Sequence, residues 1–109
     1  MAIVRTIHGD VDPSTLGVVN AHDHLIRVGA GEVYIDPDHL LIDEDKAAQE
    51  ATFFVEASKR YAPSATIVDM CPASSGRGVL MLRDVVDRVP DLQVIQATGF
   101  HQQKVYLEW

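Results

Sequence analysis

Two histidines separated by one residue carry the strongest chemical signal in this chain. His22 and His24 stand at the end of a short apolar run over residues 17–21. In a strand, residues i and i+2 point to the same face, about 6.5–7 Å apart. Their imidazoles can therefore converge on one metal ion at the usual ~2.1 Å nitrogen-to-metal distance, whereas Asp23 between them points the other way. The alternative is a pair of histidines at a strand-to-loop transition, each hydrogen-bonded to backbone.

Three further residues could face the same site. Arg77 precedes the second predicted helix, where it could meet an anionic group or form a structural ion pair. Phe100 and His101 follow the third predicted strand and could line a substrate pocket or pack beneath a loop. Tyr106 and Trp109 are weaker candidates of the same kind.

The remaining chemistry-bearing residues favour structural interpretations. Asp36, Asp38 and His39 resemble a metal cluster, but a turn around residue 37, a proline, explains the aspartates more simply. Cys71 follows a strand, and no histidine has a reason in the sequence to lie beside it, so a small core residue is favoured over a nucleophile. We expect His8 to lie on the surface of an N-terminal arm.

The elements that must position these residues alternate between strands and helices. Strands are predicted over residues 17–23, 65–70 and 92–97. Asp43 is a good N-cap for the first helix, and Pro63 is expected to stop it. The second helix covers residues 79–89 and ends at Pro90. Residues 25–42 are rich in turn formers and are predicted to form a long loop, a kind of segment that is often functional.

Both helices show apolar residues at i, i+3, i+4 spacing, which predicts one buried face each. On the first helix these residues are Ala47, Ala48, Ala51, Phe54, Val55 and Ser58. On the second they are Val79, Leu82, Val85, Val86 and Val89.

Strands that alternate with helices of this length imply parallel strands joined by right-handed crossovers. Three strands and two helices make half of a doubly wound sheet, or three-eighths of a (β/α)8 barrel, which needs roughly 250 residues. No linker divides the chain, so residues 1–109 are expected to form a single segment. The fold class is α/β, and in a barrel the two histidines would lie at the carboxyl end of the first strand, where such folds place their chemistry.

The composition of the chain indicates which classes of binding partner and which cellular compartment are expected. The net charge of −7 disfavours nucleic acids and anionic membrane surfaces, because phosphates would be repelled. A single cysteine excludes an internal disulfide and fits a reducing compartment. No signal-peptide pattern and no run of ~18 apolar residues is found, so a soluble cytoplasmic protein is expected.

Taken together, the motifs of this sequence resemble those of a known family. The His22-Asp23-His24-Leu25 segment is similar to the His-Glu-His-Leu of the phosphotriesterase-like members of the amidohydrolase superfamily. Further segments resemble the family's N-terminal arm, second strand and loop, and third-strand close, in the family's order: Val4-Arg5-Thr6, Gly9-Asp10-Val11, Leu16-Gly17, Thr66-Ile67-Val68-Asp69, Gly76-Arg77 and Ala97-Thr98-Gly99-Phe100. Each piece is weak alone, but their order and separations make the set specific.

The resemblance implies the N-terminal β-α-β-α-β portion of a (β/α)8 (TIM) barrel, whose complete form holds two divalent metals, usually Zn2+. A carboxylated lysine and a hydroxide bridge these metals in the family, whose members hydrolyse phosphotriesters, lactones or related esters. His22 and His24 would hold the more buried metal. The family's other ligands come from later strands, and Lys46, Lys59 and Lys104 do not match the bridging position. The expected partner is a small-molecule ester or lactone, and a homodimer is expected of the complete protein.

Two departures from the family pattern are visible. Asp23 replaces the commoner glutamate, and Gly78 stands where relatives often have an acidic or amide residue. The alternative to a hydrolase is a non-catalytic fragment, or a subunit completed by other chains. Two histidines alone would bind zinc weakly, because zinc sites need three or four protein ligands.

Overall fold

The computed structural model describes residues 1–105 and contains a small parallel sheet, two longer helices that pack on each other and against the sheet, and an N-terminal hairpin. In chain order the strands are β1 (Val4–Thr6), β2 (Gly9–Val11), β3 (Val18–Asp23), β4 (Ala65–Asp69) and β5 (Leu92–Gln96). The helices are α1 (Gly31–Ile35), α2 (Glu44–Ser58) and α3 (Val79–Asp87).

The main sheet has the order β3-β4-β5 with all three strands parallel. Helix α2 joins β3 to β4 and α3 joins β4 to β5, so the predicted alternation of strands and helices is confirmed. Pairing of β4 with β5 is regular, whereas that of β3 with β4 is irregular between Asn20 and Asp23. Because all carboxyl ends of parallel strands lie at one sheet edge, residues that follow β3, β4 and β5 gather there.

Helix α2 begins where the sequence predicts. The Asp43 carboxylate accepts a hydrogen bond from the Lys46 backbone N–H at 3.0 Å. The helix ends at Ser58, five residues before Pro63, because the backbone N–H groups of Tyr61 and Ala62 both turn back to the Ser58 carbonyl. Its buried residues, all from the predicted stripe, are Ala47, Ala51, Val55 and Ser58.

Helix α3 packs on the same core. Leu82, Val85 and Val86 are buried within the apolar cluster that also contains Ile67 of β4 and Val94 of β5. The prediction is wrong for Val79, which is 44% exposed because it is the first residue of the helix. Within the described residues, no helix is long and apolar enough to cross a bilayer.

Two segments contain more structure than the sequence pattern indicated. The N-terminal residues form the hairpin of β1 and β2, which contacts β5 through a hydrogen bond from the Ile7 N–H to the Val94 carbonyl. The predicted long loop contains α1 and an antiparallel bridge between Arg27 and Leu41, which exchange two backbone hydrogen bonds of 2.9 Å. This bridge folds the segment back beside the end of β3.

Gly17, immediately before β3, has φ of +65°. A Cβ atom there would lie 1.9 Å from the Ser64 carbonyl oxygen, well inside van der Waals contact. We expect Gly17→Ala to lower the free energy of unfolding by more than about 2 kcal/mol, because the left-handed backbone and the clash act together. Urea denaturation measures this. Gly29→Ala is the matched control, since its Cβ would meet nothing within 4 Å; equal losses for both variants would contradict the prediction.

Candidate metal centre

His22 and His24 lie side by side at the carboxyl end of β3. Their ring centroids are 5.3 Å apart and the rings are nearly perpendicular. Two imidazoles on one tetrahedral ion, each with a ~2.1 Å metal–nitrogen bond, have ring centroids about 5 Å apart. Both side chains line the same cavity of about 180 Å³. The pair therefore fits a divalent metal in spacing and in the chemistry of its donors.

The environment of His24 favours the form that binds metal. The side chain is partly buried, and this burial, together with the nearby positive charge of Arg27, lowers the pKa of its imidazole. A neutral imidazole keeps a nitrogen lone pair for a cation. Asp23 turns away, as expected: its carboxylate accepts hydrogen bonds from Asn20 Nδ2 and the His24 N–H, both at 2.8 Å.

The predicted pocket residues divide into two groups. Phe100 and His101 line the same 180 Å³ cavity as His22 and His24, because the segment after β5 passes the end of β3. Arg77 does not line it. Its guanidinium instead donates a 3.3 Å hydrogen bond to the Ala97 carbonyl, which ties the residues before α3 to the end of β5.

Asp69 and Cys71 are the residues at this site that sequence reasoning missed. His24, Asp69 and Cys71 each offer a potential ligand atom, and these atoms lie within 4.8 Å of one another. No local pattern indicated a histidine beside Cys71, yet Cys71 Sγ is 3.0 Å from His24 Nδ1. The expected burial of Cys71 is correct. One feature of the sequence could have predicted the contact: Cys71 follows a strand that was expected to lie parallel to the strand that ends in His22 and His24.

Cys71 is not an activated nucleophile. Burial, and next the negative charge of Asp69, raise the pKa of its thiol to about 12. Nucleophilic cysteines need the thiolate at neutral pH, and this environment opposes it. The thiol is therefore a neutral hydrogen-bonding group in the structure.

A second group closes one side of the cavity: the predicted pocket residue His101 together with Arg27, Glu32 and Ser75, which sequence reasoning missed. Glu32 Oε2 is 3.7 Å from the Arg27 guanidinium, and both side chains are largely buried, with exposed fractions of 14% and 9%. Glu32 Oε1 accepts a 3.2 Å hydrogen bond from Ser75 Oγ and lies 3.3 Å from His101 Nε2. One buried carboxylate thus holds three groups from three different loops.

Removal of the Glu32 charge should destabilise the protein. We expect Glu32→Gln to lower the free energy of unfolding by about 2 kcal/mol, because the buried Arg27 guanidinium would lose its counter-charge. Glu56→Gln is the control: Glu56 pairs with Lys59 at 2.9 Å on an exposed surface, so its loss should cost no more than about 0.5 kcal/mol. Urea midpoints of the two variants compare these effects, and equal midpoints would refute the argument.

The remaining candidates lie elsewhere. Asp36 Oδ1 accepts the Asp38 N–H at 3.1 Å in a short helical turn over Pro37–His39, in agreement with the predicted turn. His8 is an exposed arm residue with Nε2 2.6 Å from Asp87 Oδ1. The pocket candidates Tyr106 and Trp109 lie outside the described residues.

Comparisons with known proteins agree with this arrangement. The model of the Phosphotriesterase family matches residues 2–109. A phospho-furanose lactonase of Mycoplasmopsis agalactiae is 34% identical over 104 residues, which are 94% of this chain and 28% of that protein. The structure of an amidohydrolase from Mycoplasma synoviae superposes with a TM-score of 0.82 at 37% identity, over 95% of this chain and 29% of that one. A lactonase structure from Listeria monocytogenes gives a TM-score of 0.83 at 28% identity, over 95% of this chain and 30% of that one.

The matches also define which part of the fold is present. The chain spans less than a third of the length of each of these three relatives. Those relatives are TIM-barrel proteins, so the expected β-α-β-α-β portion of a (β/α)8 barrel is confirmed. By sequence and by structure, the chain belongs to the phosphotriesterase family.

Proposed function

We propose that this chain contributes the first metal half-site of a metal-dependent hydrolase that opens lactones. The observation that carries the proposal is the pair of neighbouring imidazoles, His22 and His24, at the mouth of a cavity at the carboxyl end of the barrel strands. Family membership and the lactonase relatives support the class of reaction.

The roles of the residues follow from their positions. His22 and His24 would hold a divalent metal, with zinc favoured by the nitrogen donors. When bound, such a metal lowers the pKa of water and polarises an ester carbonyl. Phe100 would offer an apolar wall to the substrate ring, and His101, held by Glu32, would flank the entrance. The family resemblance assigns the other ligands to later strands, so we propose that the complete site needs them.

The substrate class can be made more specific. The relatives named phospho-furanose lactonases favour a five-membered lactone that carries a phosphate. The phosphate would be recognised outside the metal half-site, and loops at the carboxyl face of the barrel supply such contacts.

The test uses the protein at its full natural length. Metal content is measured by mass spectrometry, and hydrolysis is followed with a pH indicator on a phosphorylated furanose lactone, the same lactone without phosphate and a phosphotriester. We expect stoichiometric divalent metal, lactone hydrolysis that a chelator abolishes, and recovery when Zn2+ is returned. Full hydrolysis by metal-free protein would refute metal dependence. Hydrolysis of the phosphotriester alone would refute the lactone assignment, and activity on no ester would favour a non-catalytic role.

A further inference from the structure

The contact between His24 and Cys71 joins two strands at the candidate metal centre. Cys71 follows β4 and His24 follows β3, with 47 residues between them, and Sγ lies 3.0 Å from Nδ1. Cys71 is completely buried, so water does not compete for its sulfur. The contact is therefore shielded from solvent.

The distance between Cys71 Sγ and His24 Nδ1 distinguishes a hydrogen bond from ligation of one metal ion by both atoms. A sulfur at ~2.3 Å and a nitrogen at ~2.1 Å from one tetrahedral ion stand about 3.6 Å apart. The observed 3.0 Å is shorter and suits a proton between the two atoms. Nδ1 faces the sulfur, so Nε2 is the ring nitrogen of His24 that is left open towards a metal.

Asp69 explains why Cys71 and His24 meet. Its completely buried carboxylate accepts the Cys71 N–H at 3.0 Å through Oδ1 and the Leu25 N–H at 3.1 Å through Oδ2. Leu25 directly follows His24, and the Met70 N–H also donates to the Asp23 carbonyl at 2.9 Å. The backbone next to each of the two side chains is therefore fixed on both strands.

From this geometry we infer that Cys71 is a positioning residue for His24: its sulfur accepts a hydrogen bond from Nδ1–H and so orients Nε2 towards the metal. The inference rests on the proposed function, in which His24 is a ligand. Metal-binding histidines generally donate their second ring N–H to a carboxylate, a carbonyl or water, and that partner fixes the tautomer and the ring orientation. Here a buried sulfur takes that place, while the Asp69 carboxylate holds the backbone of both strands and also faces the thiol, as does Arg27.

The test compares Cys71→Ser with Cys71→Ala in the full-length protein. Serine keeps an acceptor at this position, whereas alanine removes it. Zn2+ affinity is measured by competition with a chromophoric chelator. We expect the alanine variant to bind Zn2+ about 10–100-fold more weakly, the usual effect of losing such a partner, and serine to recover most of that loss. Val94→Ala, a buried truncation on β5, is the control for general destabilisation and should leave the affinity unchanged.

The absorption spectrum of the Co2+-loaded protein separates a positioning sulfur from a sulfur that is itself a metal ligand. With Co2+ in place of Zn2+, a positioning sulfur gives no thiolate-to-cobalt charge-transfer band. Such a band, lost in Cys71→Ser, would make Cys71 a direct ligand and overturn the inference. Unchanged Zn2+ affinity in Cys71→Ala would also overturn it.

Imidazole 15N NMR of the metal-free protein tests the tautomer of His24 without any metal. We expect His24 to carry its proton on Nδ1 in the wild type and to lose that preference in Cys71→Ala. A His24 that is protonated on Nε2 in the metal-free wild type would refute the positioning role. A wild type that shows the Nδ1 tautomer but binds no metal would instead refute the proposed function, so the two failures are distinguishable.

Discussion

Replacement of His24 with alanine is expected to remove bound metal and to lower lactone hydrolysis by more than about 100-fold. Loss of a partner that merely orients a metal ligand costs 10–100-fold, so loss of the ligand itself should cost more. His22→Ala should behave in the same way, because the His22 ring lies beside the His24 ring and lines the same cavity. Metal content and kcat/KM of the full-length variants measure the effect.

The matched control for these variants is His8→Ala. His8 is an exposed histidine that pairs with Asp87, and it does not line the cavity that contains His22 and His24. Its removal should leave metal content and hydrolysis within about twofold, since isolated surface substitutions rarely propagate. Normal metal content and activity in His24→Ala would show that His24 is not a ligand.

The largest expected effect on stability is at Asp69. We expect Asp69→Ala to lower the free energy of unfolding by about 4 kcal/mol, because two buried backbone N–H groups lose the carboxylate that accepts their hydrogen bonds, at a cost of about 1–3 kcal/mol each. The donors belong to Leu25 and Cys71, and neither residue is exposed to water that could replace the carboxylate. Such a loss is a large part of the ~5–15 kcal/mol that stabilises a typical domain.

The Asp69→Asn variant tests whether both carboxylate oxygens are needed. Asparagine keeps one oxygen acceptor but turns its NH2 group towards the second N–H donor, so an intermediate loss is expected. Asp87→Ala removes an exposed carboxylate and should change stability by less than about 0.5 kcal/mol. Urea denaturation ranks the three variants. An Asp69→Ala protein as stable as Asp87→Ala would refute the role of the buried carboxylate.

The sequence predicted most of the local structure. Helix α2 starts at its Asp43 cap, and the alternation of strands and helices is confirmed, because capping and apolar periodicity act over a few residues. The His22 and His24 pair was also visible, since two residues apart on a strand is a local relation. Val79 was wrongly placed in the core, because a helical stripe does not reveal where a helix end becomes exposed.

What surrounds the histidines was decided only by the tertiary structure. Which arginine lies at the cavity depends on how the segment after β3 folds back, so Arg27 lies there while Arg77 binds the end of β5. The partners of His24 depend on the register between β3 and β4, which brings residues more than 40 positions apart into hydrogen-bonding distance. Local patterns carry no information about that register. The chain alone therefore indicated a pair of candidate ligands, and only packing of the two strands placed Cys71 beside His24 and Asp69 beneath both.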